Sequence, residues 1–185
     1  MNVLIFGVSC VGKSTIGELL AKKLNFDYYD LDDEVMAYYN MSIDDFIDAY
    51  DDYERTQKRV DVIYDIFKDK SNKVIAVTPL LYEVFVNDLL VRDDVFAIEL
   101  QDTFEHIFDR LMFANKYGVI YKDDEYKNKH KDAYMEMINE DNIYFGKIFK
   151  NIPNKYYVDN KLPEVVVDEI IEKYINNGDI YDINK

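Results

Sequence analysis

The chain has 185 residues, a size at which one domain buries roughly 70% of its unfolded surface, so neither a disulfide nor a metal is needed to hold a core. Its 22 basic and 37 acidic residues give a formal charge of -15, which disfavours binding to nucleic-acid phosphates. No apolar run approaches the roughly 18 residues of a membrane span, and the sole cysteine, Cys10, has no partner for a bridge; a single cytoplasmic domain over 1–185 is expected, with no nucleic-acid or membrane partner.

Asn2 to Phe6 reads as a first strand. It runs into Gly7-Val8-Ser9-Cys10-Val11-Gly12-Lys13-Ser14-Thr15, a full match to the phosphate-binding pattern G-x-x-x-x-G-K-[ST]. Ile16, Leu19, Leu20, Ala21 and Leu24 then recur at helical spacing, so a helix from Lys13 to Leu24 follows and the order strand, loop, helix is complete. Gly7 and Gly12 allow backbone angles that bring N–H groups close to a polyphosphate, and the helix N-terminus adds unpaired N–H groups. Ser9, Cys10, Val11 and Thr15 complete the nucleotide-binding loop. Lys13 is the residue to bridge the β- and γ-phosphates of a nucleoside triphosphate, and the Ser14 hydroxyl is a Mg²⁺ ligand.

A short second strand, Phe26 to Asp30, ends in the acidic group Asp30-Leu31-Asp32-Asp33-Glu34. Helical patterns cover Glu34 to Tyr39 and Ser42 to about Lys68, with Ser42 and Asp45 as a capping pair. Lys73 to Val77 is a third strand stopped by Thr78-Pro79, and a helix from about Leu80 to Leu90 follows. Val95 to Leu100 is a fourth strand, after which Asp102 or Thr103 caps a helix through about Asn115. Lys116 to Lys131, with Gly118 and many charges, reads as a mobile segment. A helix from about Asp132 to Phe149, a fifth strand from Lys155 to Val158, a helix from Pro163 to Tyr174 and a loose tail after Asn177 complete the chain.

Strands alternating with helices predict a three-layer α/β fold with five parallel strands and helices on both faces. Ligands in such sheets bind beyond the carboxyl ends of the strands, so the loops at Gly7–Gly12, Asp30–Glu34, Thr78-Pro79 and Gln101 share one rim. Asp30 and Asp32 then face the phosphate loop, one suited to the Mg²⁺ shell and the other to an attacking hydroxyl. Asp33 and Glu34 read as a solvated first helical turn.

These features resemble the shikimate kinase family of small P-loop kinases. The likeness is carried by Gly7 to Leu24, by Tyr29-Asp30-Leu31-Asp32-Asp33-Glu34-Val35, and by Met41-Ser42-Ile43-Asp44-Asp45-Phe46, with a looser continuation from Val95 to Leu111. The resemblance implies the strand order 2-3-1-4-5, ATP and Mg²⁺ as cofactors, acceptor-binding helices over about 32–70 and a lid over about 116–131. It also implies Lys13 and Asp32 as catalytic residues, Ser14 and Asp30 as metal ligands, and Asp32 as a contact of the acceptor hydroxyls. Arg55, or Arg59 if the register slips, matches a substrate-binding Arg, and Arg110 an Arg that packs on adenine.

Three places depart from the family pattern. A Gly-Gly-Gly run is replaced by Thr78-Pro79-Leu80, and Pro lacks an N–H. The lid Arg-Pro-Leu-Leu has no counterpart, leaving Lys116, Lys122 and Lys127. A carboxylate-binding Arg aligns with Glu140, ahead of Ile143-Tyr144. Two like charges about 4 Å apart at an effective dielectric near 20 repel by about 4 kcal/mol, roughly a thousandfold in affinity. The expected activity is therefore ATP-dependent transfer to a small-molecule hydroxyl, shikimate kinase-like, from a monomer or weak oligomer. Open alternatives are another acceptor (a nucleoside, nucleotide or sugar acid) and a nucleotide-binding switch without efficient transfer.

Overall fold

The computed structural model describes residues 1–114 and 120–175. Five parallel strands form the central sheet: β1 (Asn2–Phe6), β2 (Asp27–Asp30), β3 (Lys73–Ala76), β4 (Val95–Gln101) and β7 (Asn154–Tyr157). Their order is β2-β3-β1-β4-β7, which is the expected 2-3-1-4-5. The fifth sheet strand is numbered β7 because two short antiparallel strands, β5 (Phe113–Ala114) and β6 (Ile120–Tyr121), precede it.

Both faces of the sheet are covered. β1 is buried along its whole length, and its side chains alternate between the faces. Ile5 points at helix α1 (Lys13–Leu24), where Gly17 leaves room for the ring of Tyr28, while Phe6 meets Phe149 with ring centroids 5.6 Å apart. α1 packs with α9 (Pro163–Ile170), which runs on into a π-helical turn at Ile171–Ile175. On the opposite side, α5 (Glu83–Leu90) touches β4 and α8 (Lys131–Ile148).

The edges of several elements differ from the sequence reading for local reasons. The stretch expected as one helix from Ser42 to Lys68 is two, α3 (Ile43–Ala49) and α4 (Asp52–Ile66), following α2 (Leu31–Tyr39). Tyr50 adopts an extended backbone and Asp51 starts α4 with a reciprocal capping box to Glu54, which ends one helix and opens the next. α5 begins at Glu83 rather than Leu80, and α6 (Phe104–Arg110) stops short of Asn115 because the chain turns into β5. Within the segment expected to be irregular, Asp124–Lys129 forms helix α7, capped by the Asp123 side chain on the Tyr126 N–H. Lys116, Gly118 and the tail after Asn177 lie outside the described residues.

One charged side chain belongs to the core. Lys73 is fully buried, and its ammonium donates to the carbonyls of Asp69 and Ser71, both at 2.8 Å, and to the Ser71 hydroxyl at 3.0 Å. These bonds close the turn between α4 and β3 and supply the partners that a buried ammonium requires.

Removing the cap at the α3–α4 junction has a defined outcome. Asp51→Ala should lower stability by about 1 kcal/mol, read as a shift of the urea midpoint with unchanged slope.

Candidate active site

The loop between β1 and α1 owes its shape to three residues with positive φ: Gly7 at 142°, Cys10 at 60° and Gly12 at 110°. At Gly7 the need for glycine is also steric, since a Cβ there would lie 2.6 Å from the Leu100 carbonyl oxygen of the neighbouring strand. The Lys13 ammonium folds back over the loop and donates to the carbonyls of Gly7 at 3.0 Å and Val8 at 2.8 Å. Burial pulls its pKa down to about 8, against the opposing influence of Asp32, Cys10 and Asp30.

Asp30 stands where β2 leaves the sheet and is the N-cap of α2, one carboxylate oxygen accepting from the Asp32 N–H at 3.2 Å. Its other oxygen accepts the Ser14 hydroxyl at 2.7 Å. The two residues singled out as Mg²⁺ ligands are therefore already in contact. Both offer hard oxygen atoms, the donor type Mg²⁺ selects, and one or two protein oxygens beside substrate phosphates are its usual complement. Among the described residues there is no cluster of three or more His, Cys, Asp or Glu side chains that would make an all-protein cage.

Asp32 lies in the first turn of α2, and its carboxylate is 3.6 Å from the guanidinium of Arg59. Arg59 is only 7% exposed and spreads over the ring of Phe46, 5.5 Å from its centroid. Neither its Nε nor Asp32 Oδ1 has a hydrogen-bond partner, although both atoms are buried. Arg55 is used differently. Its guanidinium donates to the carbonyls of Ile47 at 2.7 Å and Tyr50 at 3.1 Å and pairs with Asp52, so it fastens the end of α3 to the start of α4. The slipped register, Arg59, is thus the one the fold brings to Asp32. The buried stripe Thr56, Arg59, Val60 and Ile63 was a readable sign, because a charge at a core-facing helical position needs a partner.

A cleft of about 180 Å³ joins these parts, with Ser9, Cys10, Lys13 and Ser14 on one wall, Asp30 and Asp32 on another, and Ala76, Thr78 and Pro79 on the third. Gln101, expected on the same rim, lines a separate depression with Asp102, Asn142 and Tyr157. Arg110, at the end of α6, reaches the loop from the far side: its Nε donates to the Cys10 carbonyl at 3.2 Å.

A family model described as shikimate kinase matches residues 9–175. The chain belongs to the shikimate kinase family. It is an ATP-dependent small-molecule kinase of the shikimate kinase type. Shikimate kinase of Bacillus subtilis (strain 168) is 26% identical over 183 residues, covering 97% of this chain and 92% of the relative. In fold, the shikimate kinase of Aquifex aeolicus has a TM-score of 0.66 at 24% identity, over 93% of this chain and 94% of that one. The Acinetobacter baumannii enzyme, in a structure with shikimate, has a TM-score of 0.73 at 13% identity, over 92% and 90%.

The family departures also have places in this kinase. Pro79 lines the cleft itself, and the adjoining Leu81 carbonyl accepts the hydroxyl of Tyr144 from α8 at 2.7 Å. Glu140 is exposed one turn before Tyr144 on that helix. Lys127 is buried against α6, with its ammonium 3.2 Å from the Asp109 carbonyl, while Lys122 is exposed and Lys116 lies outside the described residues. No described helix is long and apolar enough to cross a membrane.

The sequence offers Asp102 only as an alternative cap to Thr103 and gives His106 no role. Thr103 is the actual cap, and Asp102 is a fully buried carboxylate that receives Arg110 at 2.6 Å and the Thr103 N–H at 2.9 Å, with His106 Nδ1 at 2.8 Å. Burial works to raise its pKa, but these partners outweigh it and hold the carboxyl below its ordinary value.

Two glycine substitutions should move stability in opposite directions. Gly7→Ala meets the Leu100 carbonyl and a positive φ, so the thermal midpoint should fall. Gly146→Ala, in α8 with nothing within 4 Å of the added Cβ, should raise it by up to about 1 kcal/mol in stability.

Proposed function

We propose that this kinase transfers the γ-phosphoryl group of ATP to a hydroxyl of a small hydroxylated acid, with shikimate the first acceptor to test. The observation that carries the reading is the shared cleft, which joins Lys13, the Ser14–Asp30 pair and the Asp32 carboxylate beside Arg59. The loop N–H groups and Lys13 would hold the phosphates, as would the open end of α1. Ser14 and Asp30 would hold Mg²⁺, which when bound neutralises phosphate charge. Arg110 stands on the nucleotide side through its bond to Cys10.

In the transfer step the acceptor hydroxyl oxygen forms a bond to the γ-phosphorus as the bond to the bridging oxygen of ADP breaks. Asp32 accepts the hydrogen bond of that hydroxyl, orients it and takes up its proton as the new O–P bond forms, while ADP leaves with the bonding electron pair on its β-phosphate oxygen; most of the catalysis is positioning and charge stabilisation. Arg59 is the residue to receive the acceptor's anionic group. Its buried Nε makes no hydrogen bond, and Asp32 Oδ1 has the 3.6 Å ion pair with Arg59 but likewise no hydrogen bond, so the fold leaves both atoms with capacity for a ligand. In this net-acidic chain, such a local cation is what lets an anionic acceptor approach. Cytoplasmic action would accord with the use of ATP.

A second reading keeps the same chemistry but changes the acceptor. Pro79 in the cleft wall removes a backbone donor, and Glu140 adds a negative charge to α8. Both weigh against shikimate itself and toward another hydroxylated acceptor.

The test is ATP consumption with shikimate and with a panel of hydroxy acids, nucleosides and nucleotides. Lys13→Ala should lower turnover on the order of a hundredfold or more, and Asp32→Asn should lower kcat. ATP left intact across the panel by a folded wild type that binds it would overturn the transferase reading. Lys13 also predicts a pH profile. The charged ammonium is the phosphate-binding form, so kcat/KM for ATP should fall as pH rises through about 8. Bound phosphate favours that charged form, so kcat should hold to higher pH.

A further inference from the structure

The buried carboxylate at the end of β4 has no part in the transfer described above, yet three protein groups converge on it beside the phosphate loop. Asp102 Oδ2 receives Arg110 Nη2 at 2.6 Å, and Oδ1 is shared by His106 Nδ1 at 2.8 Å and the Thr103 N–H at 2.9 Å. His106 and Arg110 follow Asp102 by four and eight residues, so both lie on one face of α6 and converge on the same acid. Arg110 then spans from this carboxylate to the carbonyl of Cys10, a residue one hundred positions earlier. Cys10 is the non-glycine residue of the loop held at positive φ.

We propose that Asp102 is a positioning residue of the nucleotide site. Braced by His106, it fixes the Arg110 guanidinium against the Cys10 carbonyl, and so sets together the cation on the nucleotide side and the left-handed turn of the phosphate loop. A solvated Arg at a helix end samples many rotamers; tied at both ends to acceptors, one of them fully buried, it is preorganised. The Asp102 charge is stable in the interior only while these partners neutralise it, so carboxylate and guanidinium form one unit. This inference rests on the nucleotide-binding reading of the loop.

The experiment is MgATP affinity by calorimetry together with a double-mutant cycle. Asp102→Asn retains size and the acceptor for the Thr103 N–H but removes the charge, and should weaken MgATP binding by about tenfold. Arg110→Lys, which keeps a charge but lacks the two-ended guanidinium, should do the same. Combined with Arg110→Ala, Asp102→Asn should produce no further loss, because the acid acts through the Arg. Full additivity of the two changes, or MgATP affinity within twofold of wild type in folded Asp102→Asn, overturns the proposal. If Asp102→Asn does not fold, His106→Gln replaces it, with an expected loss of a few fold and none in the Arg110→Ala background; unchanged affinity overturns the proposal equally. Lys13→Ala is run beside them. Wild-type MgATP binding there would sink the nucleotide-site reading itself, whereas loss in Lys13→Ala with none in Asp102→Asn would sink the positioning role alone.

Discussion

The carboxylate of Asp30 is the contact on which the arrangement of this kinase depends most. One of its oxygens caps helix α2 through the Asp32 N–H, and the other holds the Ser14 hydroxyl at the start of α1. A single side chain thus ties the end of an outer strand to the helix that follows the phosphate loop. The cap also sets the direction in which α2 leaves the sheet, and with it the place where α4 can bring Arg59 alongside.

A second constraint is charge. With a net charge of -15 the chain repels anions at long range, so an anionic ligand is recognised only where cations are held individually. Among the described residues, three such cations stand at the loop and cleft: Lys13 bonded to the Gly7 and Val8 carbonyls, Arg59 ion-paired with Asp32, and Arg110 bonded between Asp102 and Cys10. Fixed cations cost less ordering entropy on ligand binding than solvated ones. The arrangement therefore offsets locally what the overall charge opposes.

Much of this was legible in the residues. The loop motif is contiguous and its chemistry follows from glycine conformation and the helix terminus, so Gly7 to Thr15 could be named without a fold. Alternation of apolar strands with amphipathic helices was sufficient for the parallel sheet, and Asp30 and Asp32 followed because strand ends share a rim. Less legible were events set by one cap or one contact. The break between α3 and α4 turns on the Asp51–Glu54 box, a local signal masked by helical periodicity on both sides. The choice between Arg55 and Arg59 depends on which helix face meets Phe46 and Asp32.

The sequence by itself determined that this protein holds a phosphate loop on a parallel α/β sheet with acidic residues beside it, because those features are local in the chain or periodic along it. Only the tertiary structure decided that Ser14 and Asp30 touch, that Arg59 is the cation at Asp32 while Arg55 binds backbone, and that Asp102 secures Arg110 against Cys10. Each of these joins residues from separate elements, and which side chains meet is set by helix rotation and strand order, quantities that no short stretch of sequence encodes.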